Sequence, residues 1–248
     1  RNKNQNRVIE NEKNFEKMQR RLITYEDPKS PISEAYRSLR TSLMYTKVDK
    51  KCNVILVSSP GPGEGKTTTI ANLAITYANL GKKTLLIDSD LRKPVIHNVF
   101  NIDKNSGLTS YLSGSLDINE IINKSDIDNL DLVTSGVIPP NPSELLDSNE
   151  MINFIDNVRK DYDIVLFDSP PLVAVTDAFV LLKYINQFIL VVRPGKTERG
   201  ALERVISSTI QSNAKITGVV MNAMSEEHSY GSGYYYNYYQ YYADENTD

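Results

Sequence analysis

VILVSSPGPGEGKTTT, residues 54–69, is the stretch from which the rest of the chain can be read. Residues 54–57 form a short unbroken apolar run, as in a strand buried on both faces of a parallel sheet. A turn rich in Gly, Pro and Ser follows, and Lys66-Thr67 opens a segment with helical apolar spacing. Strand, glycine loop, Lys-Thr and helix, in that order, are the parts of a phosphate-binding loop. Gly61, Gly63 and Gly65 admit close backbone approach and positive φ. Successive amides, Glu64 included, then ring the phosphate oxygens, and the helix N-terminus favours their charge. Lys66 is placed for the β- and γ-phosphates and the Thr67 hydroxyl for Mg²⁺. One position departs from the strict pattern GxxxxGK[ST], because Pro60 stands where the first glycine belongs. A glycine-rich turn before a helix with a surface lysine gives similar letters, but here the flanking strand and helix are both present, which favours a nucleotide site.

The helix is expected over 67–80, with Ile70, Leu73, Ala74, Tyr77 and Leu80 facing the core and Gly81 ending it. KTLLIDSD, residues 83–90, reads as a second buried strand ending in acids. Ligands of open α/β sheets gather at the carboxyl ends of strands, which places Asp88 and Asp90 beside the loop. Acids at i and i+2 there suit water ligation of Mg²⁺ and removal of a hydroxyl proton. IVLFD, residues 164–168, is another buried strand ending in an acid. Asp168 thus falls where phosphate-loop proteins keep the carboxylate of a metal-bound water.

Elsewhere, short helices are expected at 94–100, 107–112 and 118–122, and a third strand at 130–134. A proline-rich crossover, 136–142, leads to a helix capped by Ser143 and starting at Glu144, then to a longer helix at 151–158. Strands at 188–192 and 216–221 flank a helix at 197–210. Strands alternating with helices imply an α/β domain, doubly wound, with a mostly parallel sheet flanked by helices. Its expected span is 31–223, between a weakly helical or mobile arm at 1–30 and a tyrosine-rich tail at 224–248. In SEAYRSLRTSLMY, residues 33–45, Tyr36, Leu39 and Leu43 form an apolar helical stripe. Glu34, Arg37 and Arg40 recur on another face. That spacing fits intrahelical support of about 0.2–0.5 kcal/mol per pair, and equally a helix that contacts a neighbouring subunit.

The 248 residues are 40% hydrophobic and 24% charged, ordinary for one globular domain with a sizeable core. A net charge of −3, with no basic stripe interleaved with aromatics, argues against nucleic acid as partner. The single Cys52 fits a reducing compartment and reads as a small buried hydrophobe. His97 and His228 are isolated, so no structural metal site is expected. No apolar run approaches the roughly 18 residues of a membrane span, and no signal-peptide pattern is visible. Arg1 is not an initiator Met, so the expectation is a piece of a longer protein, with room for an anchor outside it.

Residues 1–30 carry eight basic against five acidic side chains, and residues 223–248 carry five acids and no Lys or Arg. The asymmetry fits solvated tails, or attraction between the ends of neighbouring subunits. Tyr230, Tyr234, Tyr235, Tyr236, Tyr238, Tyr239, Tyr241 and Tyr242 are eight of the chain's 15 tyrosines. They lack aliphatic partners for a core, and without basic neighbours they make a poor stacking platform for single-stranded nucleic acid. What remains is a sticky low-complexity tail or an array of phenol hydroxyls offered to a kinase.

Together these segments resemble the bacterial tyrosine kinases of the polysaccharide-assembly type, which are unrelated to eukaryotic protein kinases. The resemblance covers roughly residue 25 to the C-terminus. Its marks are SPGPGEGKTTT at 59–69, LLIDSDLRKP at 85–94, PPNPSELL at 139–146, IVLFDSPP at 164–171 and the terminal tyrosines. EAYRSLR at 34–40 matches that family's ExxRxxR oligomerisation helix. The resemblance implies a cytoplasmic ATP- and Mg²⁺-dependent kinase domain, held at the inner face of the membrane and activated by a transmembrane adaptor. It further implies a homo-oligomeric ring in which one subunit's tail enters its neighbour's site, transfer in trans that loosens the ring, regulation of capsular or exopolysaccharide synthesis, and a cognate tyrosine phosphatase. By position, Thr67 is the direct Mg²⁺ ligand, Asp90 and Asp168 act through waters, Thr68 joins the phosphate contacts, and Asp88 is the base for the tyrosine hydroxyl. Arg92 contacts phosphate or adaptor, and Asn222 matches the place where related folds read the adenine edge.

Two other readings compete. A switch ATPase of the ParA/MinD class shares the strand-end acids, but carries a lysine five residues before the loop lysine, where this chain has Gly61. A nucleotide-bound scaffold with an aromatic recruiting tail would have no need of Lys66, Asp88, Asp90 and Asp168 together.

Overall fold

The structure, a computed structural model, describes residues 22–46, 52–173, 175 and 177–223. Expectations for residues 1–21, the tail tyrosines and His228 lie outside the described residues. In chain order the strands are β1 (Asn53–Ser58), β2 (Thr84–Asp88), β3 (Ile122–Lys124), β4 (Leu130–Val133), β5 (Ile164–Asp168), β6 (Gln187–Val192) and β7 (Gly218–Met221). The helices are α1 (Ile23–Glu26), α2 (Pro31–Tyr45), α3 (Lys66–Asn79), α4 (Ile96–Val99), α5 (Leu108–Leu112), α6 (Ile118–Ile121), α7 (Pro142–Leu146), α8 (Asn149–Asp161), α9 (Asp177–Leu181) and α10 (Arg199–Gln211).

The strands form one sheet in the order β3-β4-β2-β5-β1-β6-β7. Every pairing is parallel except β3 with β4. Alternation within each strand divides the core between two faces. Val54, Leu56, Leu85, Ile87, Val165 and Phe167 pack against Met151, Phe154 and Val158 of α8. Ile55, Val57, Leu86, Leu166 and Ile189 pack against Ile70, Leu73, Ala74 and Tyr77 of α3. Burial on both faces explains why the central strands read as unbroken apolar runs.

The α/β class and the mostly parallel sheet are as the sequence implied, and most elements lie within two residues of their expected bounds. Several details differ, and the short helix α9 is among the elements not expected. The edge strand β3 was not expected: at three residues, part-exposed, it has no periodicity to read, and it pairs antiparallel through Ile122↔Val133 and Lys124↔Asp131. Leu80, expected in the core, is the C-cap of α3 and 44% exposed, because the helix ends there at Gly81. Ser143 lies inside α7, which starts one residue earlier at Pro142, a residue whose fixed φ suits a first helical position. Residues 22–30, expected in the arm, are docked on the domain: Thr24 is buried, and its amide (3.0 Å) and hydroxyl (2.9 Å) both donate to Asn72 Oδ1.

Helix α3 is buried almost all round from Thr69 to Ala78, since the sheet covers one side and α1 and α2 the other. Cys52 is buried, as its character suggested. No described helix is long and apolar enough to cross a membrane.

Candidate active site

Parallel strands deliver all their carboxyl ends to one edge of the sheet, and register sets which residues meet there. Asp88 at the end of β2 stands level with Asp168 at the end of β5, and Val57 of β1 stands level with Asp168 on the other side. The glycine loop leaves β1 beside them. Gly63 (φ 69°) and Gly65 (φ 97°) take left-handed conformations, whereas Gly61, expected to do the same, does not. The next residues, Lys66, Thr67 and Thr68, form the first turn of α3, so the lysine rises from a helix N-terminus facing the acids.

Lys66 Nζ lies 3.3 Å from Asp90 Oδ2 and 3.4 Å from Asp168 Oδ1, and the Thr67 hydroxyl donates to Asp168 Oδ2 at 2.6 Å. Asp90, two residues beyond the strand, is positioned by accepting from the Lys93 amide. Asp88 is fully buried and fixed by backbone donors: Oδ1 accepts from Asp90 N (3.2 Å), and Oδ2 from Val95 N (2.9 Å) and Ile96 N (3.0 Å). Behind these groups the Ser89 amide and hydroxyl both donate to the Asp168 carbonyl, and Leu172 N donates to Ser59 O, so the three strand ends are tied together.

Three acids around one lysine leave two negative charges in excess in a water-poor site. Burial by itself would lower the Lys66 pKa, but Asp168, Asp90 and Asp88 more than reverse this and hold the ammonium above its ordinary value. Burial, then the Asp168 charge, pushes Asp88 up to about 7 against the pull of the Ile96 amide and Lys66. Asp168 is also raised by burial, with Lys66 and Thr67 opposing. Among the described residues no three acidic, imidazole or thiol groups form a metal cage. That donor set fits Mg²⁺, which keeps several waters and takes one or two protein oxygens plus phosphates. Thr67 Oγ1, with Asp90 and Asp168 through water, would hold it.

The raised Asp88 pKa has a stability consequence. Its folded value, about 7, exceeds the unfolded value of about 3.9, so between the two the unfolded chain binds fewer protons. The nucleotide-free protein should therefore lose stability as pH rises through that window. A melting series in this range should show the fall in wild type and a flatter profile in Asp88→Asn; identical slopes would contradict the assignment.

Other expected site residues are engaged within the chain. The Glu64 carboxylate turns inward, accepting from Gly61 N (2.9 Å) and from the Thr197 hydroxyl (2.6 Å), so it braces the loop and leaves only its backbone for a ligand. Asn222, just past β7, donates from Nδ2 to the Glu64 carbonyl at 2.9 Å. Arg92 is held by Asp177 at the start of α9, through Nε (2.7 Å) and Nη2 (3.2 Å), and the Ser143 hydroxyl donates to the same carboxylate. Burial raises Asp177, yet Arg92 and Ser143 outweigh it and hold the group below its usual value. On α2, Arg37 Nε pairs with Glu34 (2.6 Å) and its Nη1 donates to Pro28 O (2.7 Å), while Arg40 Nη1 donates to Thr76 O (2.7 Å) and its buried Nε has no partner among the described residues. Thr197 and Asp177 escaped the sequence reading because each acts on a partner far away in the chain and belongs to no motif, and Ser143, read as a helix cap within PPNPSELL, donates instead to Asp177.

The fold, the loop and the convergent acids define a phosphate-loop nucleotide-binding domain. Residues 52–217 match the family model described as an AAA domain. The tyrosine-protein kinase YwqD of Bacillus subtilis (strain 168) is 41% identical over 217 residues, spanning 87% of this chain and 92% of that protein. Two solved structures are similar: the chimerical protein CapA2B2 (TM-score 0.79, 40% identity, covering 83% of this chain and 90% of that one) and the kinase domain of the Escherichia coli tyrosine kinase ETK (TM-score 0.78, 32% identity, covering 85% and 84%). The chain belongs to the bacterial tyrosine-protein kinases.

Proposed function

We propose that this chain transfers the γ-phosphoryl group of ATP to tyrosine hydroxyls, its own C-terminal cluster among them, and does so between subunits. The observation that carries the reading is the meeting of Lys66 with Asp90 and Asp168 at 3.3 and 3.4 Å, at the mouth of the loop. In the transfer, a phenol oxygen bonds to the γ-phosphorus while the bond to the β–γ bridging oxygen breaks, and ADP leaves with that electron pair. Lys66 leaves its acids to offset charge on the transferred group. Amides of 63–66, with Thr67 and Thr68, position the phosphates. Mg²⁺, when bound, supplies further neutralisation of phosphate charge. Asp88 takes the phenol proton: a carboxylate poised near neutral pH and fixed by three amides suits that role. Positioning still matters more than proton removal in this chemistry.

In the same reading, α2 presents Glu34, Arg37 and Arg40 to the next subunit of a ring. A transmembrane adaptor brings the domain to the inner face of the membrane and activates it, and a tyrosine phosphatase resets the tail. Each added phosphate brings about 1.5–2 negative charges to a tail already rich in acid, which favours release of the ring and so couples tail state to polysaccharide assembly. Support comes from the family resemblance and from the tail's composition.

A mixing experiment tests transfer in trans. A Lys66→Met chain with its full tail, incubated with ATP, Mg²⁺ and wild-type chain lacking residues 229–248, should acquire phosphotyrosine, although neither protein labels its own tail alone. A cytoplasmic adaptor segment can be added to both arms. Absence of label in the mixture, with label in intact wild type, would contradict transfer between subunits.

A further inference from the structure

The sheet order gives the site a direction. The acids stand on β2 and β5, on one side of β1 and its loop, while β6 and β7 lie on the other side. Lys66 faces the acid side. The opposite side is covered by the connection from β6 to α10, RPGKTE at 193–198.

That connection is built and docked. Gly195 takes φ 74°, Thr197 N donates to Arg193 O at 2.8 Å, and Arg193 N donates back to the Thr197 hydroxyl at 2.8 Å. The same hydroxyl then donates to Glu64 inside the phosphate loop at 2.6 Å. The neighbouring Lys196 is thereby laid over the loop: a β-carbon added to Gly63 would fall 2.4 Å from its Nζ and 3.5 Å from its Cε. Among the described residues Lys196 Nζ is paired with no carboxylate. The acid beside it, Glu64, is already taken by Gly61 N and Thr197. An ammonium without a counterion, resting on a loop of amides at a helix N-terminus, adds positive charge where the field is already positive. An anion arriving there meets that charge.

We propose that Lys196 is a nucleotide-binding residue that contacts the α-phosphate and ribose, at the opposite end of the phosphate chain from the acids that Lys66 meets. The inference rests on the nucleotide-binding reading above and adds to it a second cation with a separate task. Lys66 serves the transferred group, and Lys196 holds the part that stays with ADP. Its exposed side chain makes substitution harmless to folding.

Calorimetric titration of the full chain with ATP and with ADP, both with Mg²⁺, tests it. Lys196→Ala should weaken ATP and ADP alike by about tenfold, the size of one lost charge-assisted hydrogen bond, and Lys196→Arg should restore most of the affinity. Unchanged affinity for both nucleotides would overturn the proposal, as would a loss confined to ATP, which would place the lysine at the γ-phosphate. Wild type that binds neither nucleotide would overturn the nucleotide-site reading itself, whereas wild type that binds both while Lys196→Ala is neutral overturns this inference alone.

Discussion

Lys66→Met is expected to abolish phosphoryl transfer, a loss of about 10³-fold or more, since a preorganised charge at the transferred group is commonly the largest single contribution. The fold should survive. The lysine is the counterion of Asp90 and Asp168, at 3.3 and 3.4 Å, and its removal leaves buried acids facing one another. Asp88 and Asp168 already have raised pKa values, however, so they take up protons more readily and the charge excess relaxes. Circular dichroism should therefore show a folded variant whose stability depends more steeply on pH than that of wild type. Retained transfer in Lys66→Met would remove the lysine from the chemistry, and an unfolded variant would contradict the electrostatic account.

Gly65→Ala is expected to cost nucleotide binding at least tenfold, for two separable reasons. At φ 97° an alanine is strained, by about 1–2 kcal/mol, and about 1.4 kcal/mol is a factor of ten in affinity. In addition, the new β-carbon would sit 1.8 Å from Asn222 Nδ2, the group that ties β7 to the loop through the Glu64 carbonyl. The methyl and the carboxamide cannot share that space, so the loop must move or Asn222 must leave. Adding Asn222→Ala should relieve the collision without relieving the backbone strain, so the double variant should bind better than Gly65→Ala and worse than Asn222→Ala. Full binding by Gly65→Ala would show that the close packing of loop on β7 does not govern the site.

The chemistry of this site was legible because it obeys local rules. An apolar run that ends in an acid is a weak signal alone, often a helix cap, but after a phosphate loop it reads as a buried parallel strand whose end faces the ligand, and so Asp88 and Asp168 could be brought to Lys66 from sequence spacing. What could not be read is the bracing between segments far apart. Arg92 meets Asp177 across 85 positions, Glu64 meets Thr197 across 133, and Asn222 meets Glu64 across 158. None of these pairs leaves a periodic trace, because each is set by the order of strands in the sheet, which loops of similar length do not reveal. Glu64 shows a task that residue type does not announce: its amide was read among those facing the phosphates, while its carboxylate turns inward and accepts from an amide and a hydroxyl. Arg37 and Arg40 lie on a helix face that reads as a subunit contact, and each also donates within its own chain, to Pro28 and Thr76, while the buried Arg40 Nε has no partner among the described residues.

Mass spectrometry of the intact chain after incubation with ATP and Mg²⁺, with the adaptor's cytoplasmic segment added in a parallel arm, is the most direct test of the whole account. Phosphate on tyrosines between residues 230 and 242, absent from Lys66→Met, is the predicted result. ATP hydrolysis with no phosphotyrosine in either arm, or phosphate confined to serine and threonine, would contradict it.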